Sequence, residues 1–232
     1  MAARVTSRAA VPILAVGGLG VVTLLAIAVT TGVSDGFDAA VIGVVRSDAF
    51  EVPLSPLRWV TELGSTGAVT LVAIVAIVLG VLIGPWLHGL LGAVTIALAS
   101  LGNHWIKVFI ARNRPDLLEP VLVERGFSFP SGHALLSMVT YGVLGVLVMR
   151  SRLPLALRRG VVAILGVVVL LVGLSRVWLG VHYPTDVLAG WTTGAVIVLV
   201  FARLTRSVSP EPAAAEVDAD QAVQRSDPPA PG

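Results

Sequence analysis

Apolar residues along this chain run in blocks too long for the strands or amphipathic helices of a water-soluble domain. Read between polar and Gly/Pro breakers, they predict six helices at about 11–32, 66–84, 86–110, 131–150, 158–180 and 185–205. Each is close to the roughly 20 residues that cross about 30 Å of hydrocarbon at 1.5 Å per residue. The pattern is that of an all-α polytopic membrane helix bundle with six transmembrane helices, formed by residues 1–206. Six spans put both termini on one side. The first run, VPILAVGGLGVVTLLAIAVTTGV (11–33), follows Arg4 and Arg8. It exceeds the ~7–15 apolar residues of a signal peptide, which favours an uncleaved span. Ala26 and Ala28 offer a small-residue cleavage pattern as the competing reading, and cleavage would leave the downstream topology unchanged.

Between the first two spans, residues 33–65 form an outer loop. Within it GFDAAVIGVVRSDAF (36–50) places Phe37, Val41, Val44 and Val45 on one helical side, with Asp38, Arg46 and Asp48 elsewhere. An interfacial amphipathic helix is expected there. After the last span the composition turns to Pro, Ala and acid in SPEPAAAEVDADQAVQRSDPPAPG (209–232), so 207–232 is expected to be a disordered cytoplasmic tail.

Composition agrees with this: the chain is 56% hydrophobic and 13% charged. The net charge of +2 is carried in short loops rather than on a continuous basic face, which argues against nucleic acid as a partner. The absence of cysteine excludes disulfides, zinc–thiolate sites and thiol nucleophiles. Arg4, Arg8, Arg150, Arg152, Arg158, Arg159, Arg203 and Arg206 lie on one side of the predicted spans, in loops without acid, and mark the inner face. Arg46, Arg58, Lys107, Arg112, Arg114, Arg125 and Arg176 lie on the other. The raw count is nearly even, so this orientation rests on the outer cations having another task. Trp59, Trp105 and Trp178 near outer ends and Trp86 near an inner end fit interfacial anchors.

Three polar clusters sit at span ends on the predicted outer side. In KVFIARNRP (107–115), Lys107 and Arg114 are seven residues apart, about 10 Å along one helical face if the helix continues past Pro115's influence. In GFSFPSGHALLS (126–137), Pro130 suits a first turn, and Ser131, Gly132 and His133 stand where unsatisfied backbone N–H groups favour an anion. In SRVWLGVHYPTD (175–186), Arg176 ends one span while His182 and Asp186 flank Pro184 at the start of the next. A histidine held by a carboxylate has one tautomer fixed and its other nitrogen free to attack or to accept a proton. Taken together, three cations, helix-start amides, two histidines and one carboxylate suit a tetrahedral oxyanion and phosphoryl transfer. No carboxylate cluster or close His/Asp ligand set suggests a metal, and no cofactor is called for.

K-x6-RP at 107–115, PSGH at 130–133 and SR-x5-H-x3-D at 175–186 resemble the three-part signature of the type-2 phosphatidic acid phosphatase superfamily. Phe37, Asp38 and LGS at 63–65 are similar more weakly. The resemblance implies a six-helix membrane phosphatase that works without a metal ion. His182 would attack phosphorus to give a phosphohistidine, oriented by Asp186; His133 would protonate the leaving alkoxide and then activate water. Lys107, Arg114, Arg176, Ser131 and the Gly132 amide would hold the phosphoryl oxygens. The implied substrate is a lipid phosphate or diphosphate reached from the bilayer at the outer face: polyprenyl diphosphate, phosphatidylglycerol phosphate or phosphatidic acid. Transfer to an alcohol or sugar instead of water, and non-catalytic binding or transport of a lipid phosphate, are the competing functions. The superfamily's soluble vanadate-binding peroxidases fit poorly with six apolar spans.

Among other polar residues, Asn103 and His104 lie a turn before Lys107, where an interior, satisfied histidine is expected. His88 is expected at the opposite interface. Arg112, Asp116, Glu119, Glu124 and Arg125 read as solvated charge around the mouth.

Overall fold

The computed structural model describes residues 2–47, 53–83, 86–116 and 124–207. Within them eight α-helices follow one another: α1 (Ala2–Thr30), α2 (Asp35–Val45), α3 (Leu54–Glu62), α4 (Thr66–Ile83), α5 (Trp86–Ile110), α6 (Gly132–Arg150), α7 (Leu155–Trp178) and α8 (Pro184–Ser207). Helices α1, α5, α6, α7 and α8 are long and apolar enough to cross a membrane. The pair α3 and α4, bent by 43°, makes a sixth span if taken as one. Five of the six expected spans are thus present as single helices, and the second, expected at 66–84, reaches span length when the bent pair is taken as one.

The ends of the elements follow local chemistry. Helix α7 begins at Leu155 rather than 158 because Pro154, at φ −53°, sets up the first turn without needing an N–H donor. Helix α1 reaches back to Ala2 instead of starting near 11. Helix α2 takes up the expected interfacial helix as far as Val45, and residues 48–50 of that stretch lie outside the described residues, as do 208–232 of the tail. Helix α3 was not expected. Its nine residues, LSPLRWVTE, carry too short an apolar stripe to stand out from a loop.

Helix α6 lies at the centre and touches α4, α5, α7 and α8. Leu135, Leu136, Val139 and Val143 on α6 are buried against Val69 of α4, Ile96 and Ala99 of α5, and Phe201 of α8. By contrast, α1 turns Ile13, Leu14, Val16, Leu19 and Leu24 outward. In hydrocarbon both faces of a helix are apolar, so close fit between helices, rather than amphipathicity, decides which face points inward. Gly190 shows this fit. A Cβ there would stand 2.8 Å from the Ser131 carbonyl, so glycine lets α8 close on the start of α6. That contact brings the Ser131 N–H to the Asp186 carbonyl at 3.0 Å and joins two of the predicted clusters.

Candidate active site

The three clusters meet at one end of the bundle. Helix α5 stops at Ile110, and Ala111 takes a left-handed φ of 50°, which costs a non-glycine residue about 1–2 kcal/mol. After the turn the chain has no regular structure over 112–116, and Arg112 and Arg114 reach the start of α8 and the turn before it. The helix does not continue as far as Arg114, so Lys107 and Arg114 do not share a helical face. They converge through the 124–128 loop: Lys107 Nζ donates to the carbonyls of Phe127 (2.8 Å) and Ser128 (3.1 Å), while Arg114 Nε donates to that of Gly126 (3.0 Å).

His182 occupies the short turn between α7 and α8 and is 1% exposed. Its Nδ1 lies 3.3 Å from Oδ2 of Asp186, in the first turn of α8. On the other side Arg114 Nη1 approaches Nε2 at 3.2 Å. A guanidinium has only donors, so Nε2 must be the accepting nitrogen and the ring proton resides on Nδ1, facing Asp186. Burial, aided by the nearby charges of Lys107 and Arg114, lowers the His182 pKa to about 4 against the pull of Asp186. At neutral pH the imidazole is therefore uncharged, with a lone pair on Nε2.

Around that nitrogen lies a cationic cradle. Arg176 is completely buried, donates from Nη1 to Thr61 Oγ1 at 2.6 Å, and pairs through Nη2 with Glu124 Oε1. Glu124 Oε2 is 3.0 Å from Arg114 Nη1 and 4.0 Å from His182 Nε2. Burial pushes the Glu124 carboxyl up, but Arg176, Arg114 and the neighbouring His133 outweigh it and hold the group below its usual range. An ionised carboxylate thus rests between two guanidiniums, 4.0 Å from the imidazole nitrogen that Arg114 faces.

Ser131 caps α6, its Oγ accepting from the Ala134 N–H at 3.5 Å. Its own N–H is committed to Asp186, which leaves the hydroxyl proton, rather than that amide, for an anion. A Cβ at Gly132 would sit 3.0 Å from Asn103 Nδ2 and 3.9 Å from Lys107 Cε, so the first turn of α6 runs hard against the cationic end of α5. His133 faces Gly64, where a Cβ would lie 3.2 Å from its Cδ2, and is within electrostatic reach of Arg176, Glu124, His182 and Arg114. All eight residues singled out from the sequence therefore stand at this one end: Lys107, Arg114, Ser131, Gly132, His133, Arg176, His182 and Asp186.

Several readings need correction. Arg112 is no solvated loop charge: Nη1 reaches Asp186 Oδ1 and Nη2 reaches Asp38 Oδ2, each at 2.7 Å. Asp38, expected on the polar side of an interfacial helix, is 1% exposed and also accepts from the N–H (3.0 Å) and Oγ1 (2.6 Å) of Thr185. Glu124 likewise left solvent for two arginines. Their opposite charges are distant in sequence, and a loop residue looks solvated until its partner is located. Asp116 and Arg125 are exposed as expected, and Glu119 lies outside the described residues. His88, in the first turn of α5 at the opposite end of the bundle, is buried, whereas His104 is exposed and edge-on to Trp105, with ring centres 6.0 Å apart, rather than interior. Thr61 and Thr185 carried no sequence signal at all.

A bundle of membrane-length helices defines a multi-pass membrane protein, here with a buried cationic cradle over a histidine–aspartate pair at one end of its spans. The chain belongs to the PAP2 superfamily, whose family model matches residues 88–209. It is similar to phosphatidylglycerophosphatase B of Bacillus subtilis (strain 168), at 39% identity over 110 residues, covering 47% of this chain and 54% of that one. It is also similar to an undecaprenyl-diphosphatase of Sulfolobus acidocaldarius, at 40% identity over 86 residues, covering 37% and 36% of the two chains. The matched segments thus span about half or less of these relatives' length. The crystal structure of a transmembrane PAP2-type phosphatidylglycerolphosphate phosphatase from Bacillus subtilis superposes with a TM-score of 0.76 at 29% identity, covering 84% of this chain and 97% of that one. The LpxE structure from Aquifex aeolicus shares the fold, with a TM-score of 0.56 at 22% identity over 71% of this chain and 94% of its own.

Proposed function

We propose that the protein hydrolyses the phosphoryl group of a lipid phosphate or diphosphate through a phosphohistidine. The observation that carries this is the seat of the Glu124 carboxylate, between Arg176 and Arg114 and 4.0 Å from His182 Nε2. An anion held there by guanidiniums faces the lone pair of a neutral imidazole. When a phosphoryl group takes that seat, Nε2 attacks phosphorus and the P–O bond to the lipid breaks. The departing oxygen takes a proton from His133, and Asp186 stabilises the positive charge on the His182 ring. Water then gives a proton to His133 and attacks phosphorus, the N–P bond breaks, and inorganic phosphate leaves. Lys107, Arg114 and Arg176 spread the charge of the equatorial oxygens.

An apolar groove of about 350 Å³ supports a lipid substrate: it is lined by Leu98, Ile106, Leu135, Val196 and Val200 and includes Asn103, one turn before Lys107 in α5. The similarity to a phosphatidylglycerophosphatase and an undecaprenyl-diphosphatase supports phosphatidylglycerol phosphate and a polyprenyl diphosphate as the first compounds to assay. The site faces outside and the tail inside, because the acid-free arginine loops fall at the opposite ends of the spans. Modification from outside intact cells of a cysteine placed at Ser151 would reverse that orientation.

The test is phosphate release by detergent-purified protein in EDTA, across a panel of lipid monophosphates and diphosphates. His182→Ala is expected to abolish turnover, and acid-labile, alkali-stable phosphate should appear on wild-type protein after a rapid alkaline quench. Full activity in His182→Ala would overturn the mechanism. Phosphorylation of an added alcohol without free phosphate would make the protein a transferase instead.

A further inference from the structure

Asp186 is completely buried, and a buried carboxylate needs its lone pairs filled. Its Oδ2 takes the Tyr183 N–H at 2.9 Å and faces His182 Nδ1. Its Oδ1 takes Arg112 Nη1 at 2.7 Å. Arg112 is fixed on every side: Nη1 also donates to Thr185 Oγ1 (2.8 Å), Nη2 donates to Asp38, and the guanidinium lies 3.9 Å over the Tyr183 ring. Asp38 comes from α2, outside the 88–209 segment matched by the family model, and Thr185 fills both of its oxygens.

We propose that Arg112, clamped by Asp38, is a positioning residue for phosphoryl transfer: it occupies Oδ1 of Asp186 so that Oδ2 alone meets His182, and it balances the negative charge behind the imidazole. This inference rests on the role of His182 proposed above. A carboxylate without the Arg112 tether can rotate about χ2 and lose its aim at Nδ1. A lysine replaces the fork incompletely, since its single nitrogen would have to reach the three acceptors, Asp186 Oδ1, Thr185 Oγ1 and Asp38 Oδ2, that two separate Nη atoms serve here. Arg112 offsets one of the two carboxylate charges, so removing it together with the Asp38 charge restores the balance at Asp186, and Asp38 and Arg112 together tie α2 to the start of α8.

The charge role has a signature that mere packing lacks. The charged and titratable groups around His182 are Lys107 from α5, Arg114 from 111–116, Glu124 from its loop, His133 from α6 and Asp186 from α8, with Arg112 behind Asp186 and Arg176 behind Glu124. Removing the Arg112 charge leaves Asp38 and Asp186 uncompensated, which favours the imidazolium and moves the acid limb of the rate to higher pH.

The experiment compares wild type, Arg112→Gln, Arg112→Lys, Asp38→Asn and the Arg112→Gln/Asp38→Asn double variant as full-length purified proteins, with melting temperatures measured alongside. Arg112→Gln is expected to lower kcat about 30- to 100-fold with KM within about threefold, and to raise the acid limb by about one pH unit. Arg112→Lys should fall between it and wild type. The double variant should be no slower than Arg112→Gln, and its acid limb should move back toward wild type. Wild-type kcat with an unmoved acid limb in Arg112→Gln overturns the proposal. So does a loss that follows melting temperature alone across the series with the pH profile unchanged. Activity surviving in His182→Ala would instead overturn the reading beneath it, whereas an inactive His182→Ala beside a wild-type-like Arg112→Gln would overturn this inference alone.

Discussion

Replacing Glu124 by glutamine keeps the size of the side chain and removes the charge that rests in the phosphoryl seat. Glu124 touches two guanidiniums, at 3.0 Å from Arg114 and in closer contact with Arg176. At an effective dielectric of 20, a pair about 4 Å apart is worth ~4 kcal/mol, and desolvation offsets part of this. The side chain is 23% exposed, and the net attraction that an incoming phosphate must displace is reasonably ~1.5–3 kcal/mol. Glu124→Gln should therefore bind inorganic phosphate, and lipid phosphate in KM, about tenfold or more tightly. The same change leaves the fully buried Arg176 without its counter-charge, so the anion-free protein should melt at a lower temperature. A thermal-melt titration with phosphate separates the two effects. Saturating phosphate should raise the variant's stability by ~1.4 kcal/mol more than it raises the wild type's for each tenfold gain in affinity. Equal phosphate-induced shifts, or a KM that rises in Glu124→Gln, would show that the carboxylate does not stand in for the phosphoryl group.

Two more predictions follow from the same geometry. The His182 pKa falls from an ordinary 6.5 to about 4 on folding, so between these values the unfolded chain binds more protons and stability rises with pH. This contribution is complete above pH ~6.5 and is lost as pH drops through ~4, about 3 kcal/mol in all. The difference in stability between wild type and His182→Gln should shrink over that window, and parallel curves would refute the assignment. Separately, Gly132→Ala places a methyl 3.0 Å from Asn103 Nδ2 and 3.9 Å from Lys107 Cε, pushing α5 away from α6 at the cradle. Phosphate release should fall at least about tenfold with little change in melting temperature, and near-wild-type turnover would show that the first turn of α6 has slack.

What the linear chain determined is what depends on local composition and spacing. A run of twenty apolar residues must become a helix in hydrocarbon, because no other single segment satisfies its own backbone there. Cations, histidines and an aspartate confined to the ends of those runs must then gather at one face of the membrane. Seven polar positions from Lys107 to Asp186, with Gly132 among them, were legible on that basis, and the fold brings them together. The short helix α3 and the exposed His104 were not legible, since few residues or a single side chain carry no periodic signal.

Only tertiary structure decided the partners of Asp38, Arg112 and Glu124. Asp38 is 74 residues from Arg112 and 147 from Thr185, and Glu124 is 52 from Arg176. A charge in a loop and a charge in a buried clamp look the same in sequence. They differ in whether an opposite charge, brought by a helix far along the chain, removes the need for water. Here α6 and α8 close at Gly190, α5 turns back at Ala111, and α2 folds over the end of the bundle. Those three contacts turn three ordinary loop charges into the surroundings of His182, because in a buried site the energy of an ion depends on its neighbours far more than on its own identity.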